Sequence, residues 1–339
     1  MIIVLKPGIA KRTETSVLKE IRKLGYQPHV MRGVARTVIG AIGDELANVN
    51  LNVLSAQFPD AVESVLPIQK RYKLVSREAH PGAFTIRVRH QIIGGKKFQV
   101  MAGPCSVENE AQLLKTAVAV KKAGATILRG GAFKPRTSPY EFQGLGEKGL
   151  KLLAKARKET GLAVITELLS ENHADLVAEY ADILQIGARN AQNFQLLIAA
   201  ARTGKPVLLK RGLSMKIEEW LLAGEYVLAN ENPNLMFCER GIRTFETYTR
   251  NTLDLAAIPI VKHESHCPVV IDPSQGAGRA DLVATMCKGA VAMGADALLI
   301  EVHPNPAEAW SDSAQQLTLD GFARLMRELK PFIAAAGRE

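Results

Sequence analysis

The hydrophobic pattern divides the chain at about residue 97. Before that point short apolar runs alternate with one amphipathic helical stretch. The pattern predicts a strand at Ile2–Leu5, a helix at Thr13–Leu24 and strands near Pro28–Met31 and Thr37–Ile42. A polar helix near Asp44–Ser55 and a strand at Glu63–Ile68 follow. That order, β-α-β-β-α-β, is a ferredoxin-like split βαβ module. Residues 68–97 are basic and broken by Pro81, Gly82, Gly94 and Gly95, with alternation at Phe84–Val88; they read as a linker carrying a short hairpin.

From Phe98 onward a short, continuous apolar run is followed by a helical stretch, again and again. The runs are Phe98–Ala102, Thr126–Leu128, Ala163–Thr166, Ile183–Ile186, Val207–Leu209, Leu235–Phe237, Val269–Ile271 and Ala297–Ile300. Unbroken apolar runs are what strands covered on both faces require. Between them, Ile217, Trp220, Leu221, Gly224 and Leu228 share one helical face, as do Val283, Met286, Cys287 and Ala290. The last helix carries Phe322, Leu325, Met326 and Leu329, with Asp320 as its expected cap. Eight repeats predict a closed (β/α)8 barrel. An open doubly wound sheet would want a glycine-rich dinucleotide turn after the first strand, and Gly-Pro-Cys-Ser at 103–106 is not one. The predicted organisation is therefore α/β: a ferredoxin-like domain at 1–67, a linker and hairpin at 68–97, and a (β/α)8 TIM barrel at 98–339.

Composition narrows the function. With 47% hydrophobic and 23% charged residues the chain can bury a large core, which excludes a disordered or rod-like protein. No run of about 20 apolar residues predicts a membrane helix. Four cysteines without paired spacing fit reduced thiols and a cytoplasmic location. The net charge is +9, yet aromatics total 5% and no basic stripe interleaves with them, so nucleic acid is not expected as a partner.

The charge is instead concentrated where strands end. Arg129, Lys134 and Arg136 follow the second run, Arg189 the fourth, Lys210 and Arg211 the fifth, Arg240 and Arg243 the sixth. In a TIM barrel those ends form the active face. A ring of guanidinium and ammonium groups there suits small, multiply charged anions such as phosphates and carboxylates. Cys105 ends the first strand, Glu301 the eighth, and Asp312 lies in the loop after it. The first and eighth strands are neighbours in a closed barrel, so a thiol and two carboxylates can converge on a divalent cation. Taken singly, Cys105 reads as a small core residue and Asp312 as a solvated loop acid.

Longer motifs carry a resemblance. Gly-Pro-Cys-Ser at 103–106, Leu-Arg-Gly-Gly-Ala-Phe-Lys-Pro-Arg-Thr-Ser-Pro-Tyr at 128–140 and Phe-Gln-Gly-Leu-Gly at 142–146 stand beside three more. These are Gln-Ile-Gly-Ala-Arg-Asn-Ala-Gln-Asn-Phe at 185–194, Leu-Leu-Lys-Arg-Gly at 208–212 and Cys-Glu-Arg-Gly-Ile-Arg-Thr-Phe-Glu at 238–246. Together they resemble the 3-deoxy-D-arabino-heptulosonate 7-phosphate (DAHP) synthases, in the short type with an amino-terminal ferredoxin-like regulatory domain. The resemblance implies condensation of phosphoenolpyruvate with erythrose 4-phosphate, releasing phosphate, as the first step of the shikimate pathway. It implies that Arg129, Lys134, Gly187, Ala188, Arg189, Lys210 and Arg240 hold phosphoenolpyruvate. Lys134, Pro135, Arg136 and Thr137 would hold erythrose 4-phosphate, and Lys134 and Glu167 would handle protons. The cationic neighbours of Lys134 are expected to lower its pKa. The resemblance also implies a homotetramer and tyrosine or phenylalanine as an effector on the first domain.

Cys105, Glu301 and Asp312 fall on three of the four metal ligands implied. The fourth departs: the family motif Asp-Pro-Ser-His reads Asp-Pro-Ser-Gln here, with Gln275 in the ligand's place. A glutamine oxygen is a neutral, harder and weaker ligand than imidazole. The expected site is therefore weakened or re-tuned, with Mn²⁺ foremost and Mg²⁺, Fe²⁺, Zn²⁺ or Co²⁺ as further candidates. His303 and His266 are the conceivable substitutes for the missing imidazole. Two other functions stay open: a 3-deoxy-octulosonate 8-phosphate synthase, and a non-catalytic paralogue disabled by Gln275.

Overall fold

A computed structural model of the chain describes residues 1–33, 36–43, 50–66, 71–136 and 138–339. It forms two compact units. One comprises Met1–Phe84 with His263–His266, the other Thr85–Lys262 with Cys267–Glu339.

In the first unit, β1 (Ile2–Leu5), β2 (Gln27–Arg32), β3 (Thr37–Ile42) and β4 (Val62–Leu66) form an antiparallel sheet in the order β2-β3-β1-β4. This is the ferredoxin-like arrangement. β1 sits in the middle because all four of its residues are apolar and buried. The helix Lys11–Lys23 lays Val17 and Ile21 against Ile3, Leu5 and Ile39. It starts two residues before the expected Thr13. Of the helix expected at 44–55 only Val53–Gln57 is helical among the described residues; 44–49 lie outside them, as do 67 and 68 of the expected last strand.

The second unit opens with a hairpin of β5 (Ile86–Val88) and β6 (Gln91–Ile93), with Arg89 at positive φ in its tight turn. Eight parallel strands then close on themselves: β7 (Gln99–Gly103), β8 (Ile127–Arg129), β9 (Ala163–Glu167), β10 (Ile183–Ile186), β11 (Val207–Lys210), β12 (Leu235–Glu239), β13 (Val269–Ile271) and β14 (Ala297–Glu301). β14 pairs with β7 over five residues. Helices follow the strands and bury the predicted stripes: Trp220, Leu221, Gly224 and Leu228 on one, Val283, Cys287 and Ala290 on another. Phe322, Leu325 and Leu329 do so on the last helix, Leu319–Ala335. Its cap is Thr318, whose side chain accepts from the Gly321 amide, and not Asp320. The helix begins two residues earlier than expected, which leaves Asp320 in the first turn, where a carboxylate complements the helix dipole.

Several strands run past their apolar core into one polar or charged residue. Arg129, Glu167, Lys210, Glu239 and Glu301 are the last residues of β8, β9, β11, β12 and β14. The ladder, rather than a loop, fixes where these charges stand.

Candidate active site

At the carboxyl ends of the strands lies a cavity of about 300 Å³. Lys134, Pro135 and Arg136 line it from the loop after β8, and Gly187, Ala188 and Arg189 from the loop after β10. Lys210 and Glu167 line it from the ends of β11 and β9, and Arg240 from the position just after β12. Arg129 sits one layer deeper, against a smaller cavity shared with Cys105, Lys134 and Glu167. Thr137 lies outside the described residues. Arg211 and Arg243 do not reach the cavity. Arg211 turns into Glu239 (2.9 Å) and Asp254 (2.8 Å) as a buried brace, and Arg243 is exposed.

Local structure explains the placement. The loop after β8 is pinned where Lys134 N donates to Gln143 O (2.8 Å) and Ala132 N to Thr166 Oγ1 (3.3 Å). Lys134 is then directed inward, with Nζ 2.9 Å from Cys105 Sγ and 3.4 Å from the Cys105 carbonyl. A Cβ at Gly187 would stand 2.0 Å from Glu167 Oε1, so any larger residue there would displace the Glu167 carboxylate from its present position. Asp272 closes the next strand end twice over. One oxygen accepts from Gln275 N (2.8 Å) and so caps the short helix Pro273–Ala277; the other accepts from Lys210 Nζ (2.5 Å). Ser274 Oγ accepts from Glu301 N at 3.0 Å.

Cys105, Glu301 and Asp312 do converge. One ligand-type atom from each lies within 4.8 Å of the other two. Asp312 adopts φ 49°, ψ 39°, a left-handed conformation that aspartate tolerates better than most residues and that tends to mark functional sites. His266 and His303 are not in the cluster. His266 belongs to the first unit, and His303 Nε2 is tied to Glu108 Oε2 at 3.2 Å. Gln275 is beside the cluster, but its oxygen faces away. Nε2 donates to Glu301 Oε1 (3.2 Å) and Asp312 Oδ2 (3.0 Å), while Oε1 accepts from Arg240 Nη2 (2.8 Å).

The electrostatics follow from this packing. Burial pushes the Cys105 thiol up to about 12, helped by Glu301, so the sulfur is protonated at neutral pH and donates to Asp312 Oδ2 (3.2 Å). Burial also works against the Asp312 carboxylate, but Lys134 and Arg250 overcome it and hold the group well below the usual range. For Lys134 the expected depression does not occur. Burial favours the neutral amine, yet Cys105, Glu301 and Glu167 outweigh it and the pKa rises. The reason is the company: the acidic groups around this ammonium outweigh its cationic neighbour Arg129. Burial lowers the Arg240 pKa. Among the described residues Arg129 Nε and Arg240 Nη1 are buried donors without a hydrogen-bond partner, a costly condition unless an anion meets them.

Sequence reasoning missed Arg250, Gln185, Glu141 and Gln315. Arg250 Nη1 donates to Asp312 Oδ1 (3.0 Å) from the long loop after β12, far from any strand end. Gln315 Nε2 donates to Glu301 Oε2 (2.7 Å), and Glu141 holds Arg136 at 2.9 Å. No spacing signal marks them. Gln185 lay inside a quoted motif, and its inward register on β10 could have been read from strand parity.

Comparison with known proteins agrees in both units. The model of the DAHP synthetase I family matches residues 78–335, and that of the DAHP synthase ferredoxin-like domain matches residues 1–70. A phospho-2-dehydro-3-deoxyheptonate aldolase of Thermotoga maritima is 49% identical over 99% of both chains. A crystal structure of a phospho-2-dehydro-3-deoxyheptonate aldolase (DAHP synthase) from Thermotoga maritima covers 100% of this chain and 98% of its own, with a TM-score of 0.79 at 48% identity. A 2-dehydro-3-deoxyphosphooctonate aldolase of Caulobacter vibrioides is more distant, at 34% identity over 70% of this chain and 88% of its own.

Proposed function

The chain belongs to the DAHP synthetase I family, and from that premise we propose how its own residues carry out the condensation of phosphoenolpyruvate with erythrose 4-phosphate. The octulosonate alternative is reduced to a distant kinship. The observation that carries the residue assignment is the convergence of Lys134, Arg136, Arg189, Lys210, Arg240 and Arg250 on one cavity.

Arg129, Lys134, Arg189, Lys210 and Arg240 bind the carboxylate and phosphate of phosphoenolpyruvate; the unpartnered Arg129 Nε and Arg240 Nη1 are ready donors for them. Gly187 and Ala188 keep the wall low enough for close approach. Pro135, Arg136 and Thr137 receive the phosphate end of the aldose. C3 of the enol phosphate then forms a bond to the aldehyde carbon. Lys134, held cationic by its acidic neighbours, polarises the carbonyl and gives its proton to the nascent alkoxide. The cationic centre at C2 takes up water, whose proton passes to Glu167. The resulting hemiketal collapses: its C2 hydroxyl becomes the ketone as the C2–O bond to phosphate breaks. The hydroxyl proton leaves with the inorganic phosphate, and the proton held by Glu167 returns through solvent to Lys134. One water is consumed overall.

The family is metal-dependent. Cys105, Glu301 and Asp312 would hold a divalent cation, with Mn²⁺ suited to two carboxylates beside one sulfur, and such an ion would supply Lewis-acid polarisation of the aldehyde. The amide of Gln275 does not complete a four-ligand set as it stands, because it turns its nitrogen to the carboxylates.

The amino-terminal unit is regulatory in this reading, with tyrosine or phenylalanine as effector and a homotetramer as the assembly; the match of residues 1–70 to the family's ferredoxin-like domain supports the first point. Four free, buried cysteines support a cytoplasmic setting. Among the described residues no helix is long and apolar enough to cross a membrane. A disabled paralogue would have little reason to keep every cavity-lining cation. Phosphate release on mixing phosphoenolpyruvate with erythrose 4-phosphate tests the function. Turnover with the four-carbon aldose is expected; turnover with arabinose 5-phosphate alone, or with neither, overturns it.

A further inference from the structure

The carboxylates of the Cys105–Glu301–Asp312 cluster already have a donor at every oxygen. Glu301 Oε1 receives Arg129 Nη1 (3.0 Å) and Gln275 Nε2 (3.2 Å), and Oε2 receives Gln315 Nε2 (2.7 Å). Asp312 Oδ1 receives Arg250 Nη1 (3.0 Å), and Oδ2 receives Gln275 Nε2 (3.0 Å) and the Cys105 thiol (3.2 Å). Lys134 Nζ faces the sulfur at 2.9 Å. The two N–H bonds of Gln275 thus stand between the carboxylates, where a shared cation would place its charge.

The amide is fixed in that sense from both ends. To offer its oxygen to a metal it would have to turn over. It would then aim an NH₂ at the Arg240 guanidinium and a carbonyl oxygen at two carboxylates. Three hydrogen bonds to charged groups would be lost, each of a kind that contributes more than a neutral one. The backbone of Gln275 cannot relax the conflict easily, since its N–H caps the helix through Asp272, whose other oxygen holds Lys210.

We propose that the Gln275 amide is the built-in positive pole of this cluster, so that the chain condenses its substrates without a resident divalent metal and binds such metals only weakly, by displacing the amide. The proposal rests on the reading of the cavity as a DAHP synthase site and deepens it. In the metal-free site the carbonyl-polarising charge is the Lys134 ammonium, which Cys105, Glu301 and Asp312 keep in place. The Gln275 amide acts as a positioning group: it holds the two carboxylates together and Arg240 in register with them.

The test uses the full-length protein, stripped with a chelator and checked for metal content by elemental analysis. Phosphate release from phosphoenolpyruvate and erythrose 4-phosphate is then measured with and without added Mn²⁺. Cobalt(II) is titrated into the same preparation while the sulfur-to-cobalt charge-transfer absorption is followed. The expected result is turnover at metal contents far below one per chain, changed by less than about twofold on adding Mn²⁺. Cobalt affinity should rise by about ten- to a hundredfold in Gln275→His, of the size that metal-site support commonly carries. Stripped protein that is inactive and regains turnover with Mn²⁺ would overturn the inference while sparing the functional reading. Equal cobalt affinity in the two proteins would overturn it as well. Protein inactive under every condition would count instead against the functional reading on which the inference stands.

Discussion

The two ends of the barrel use buried charge in different ways. At the amino-terminal end, two acids each collect a closed set of partners. Asp182 accepts from Arg157 (3.3 Å), pairs with Arg89 of the hairpin (3.5 Å) and takes the Val164 amide (2.9 Å). Asp296 accepts from Lys262 (2.9 Å), Arg338 and the Val269 amide (2.8 Å). These bonds tie strand starts to helices and to the hairpin. At the other end the network is crowded but incomplete, because Arg129 Nε and Arg240 Nη1 keep a free donor each. Among the described residues the comparable atom at the amino-terminal end is Gln99 Oε1, a neutral acceptor. A closed set of charges holds a barrel together; a set with spare cationic donors, enclosed in a cavity, awaits an anion.

The sharpest way to break this contrast is Lys134→Met. Loss of a positioned acid should lower kcat by about 10²–10⁴-fold with the unfolding transition unmoved, as read by phosphate release and circular dichroism. Wild-type turnover would remove Lys134 from the chemistry. Next comes Asp296→Ala at the opposite end. It strands two cations, and should destabilise the barrel by about 3 kcal/mol in chemical denaturation without changing kcat. A loss of turnover at unchanged stability would erase the distinction between the ends. Arg240→Ala should cost about 1.5–3 kcal/mol of binding, seen as a KM for phosphoenolpyruvate raised roughly ten- to a hundredfold.

The first unit supplies a third case, a buried ionisable group kept neutral. His266 packs against the rings of His80 (4.9 Å) and Phe84 (5.6 Å), and burial, with His80, lowers its pKa to about 3. In the unfolded chain it takes up a proton near its ordinary value of 6.5. Between those values the unfolded state holds the extra proton, so this contribution is complete above about pH 6.5 and is lost as pH falls toward 3. The slope is about 1.4 kcal/mol per pH unit, and His266→Phe should flatten it in denaturation curves recorded from pH 4 to 7. An unchanged slope would mean that the imidazole is not buried neutral.

The legible part of the site consisted of residues at fixed distances from an apolar run. Arg129, Glu167, Lys210 and Glu301 each follow such a run immediately, and β-ladder geometry carries them to one end. Cys105 and Asp312 could be joined because closure makes β7 and β14 neighbours. Arg250 and Gln315 could not be found this way. They come from long loops whose course depends on packing, such as Arg250 Cβ filling the space left by Gly278. Nor could parity tell that Arg211 faces Glu239 and Asp254 rather than the cavity.

By itself the order of residues determined the two folds, the eightfold repeat and the end of the barrel at which cations gather, because period and spacing are local properties of a chain. The direction in which the Gln275 amide points, the rise rather than fall in the Lys134 pKa, and the exclusion of His266 and His303 from the cluster were decided only in three dimensions. Each depends on the sum of charges and hydrogen bonds arriving from strands and loops remote in sequence, and burial makes that sum large.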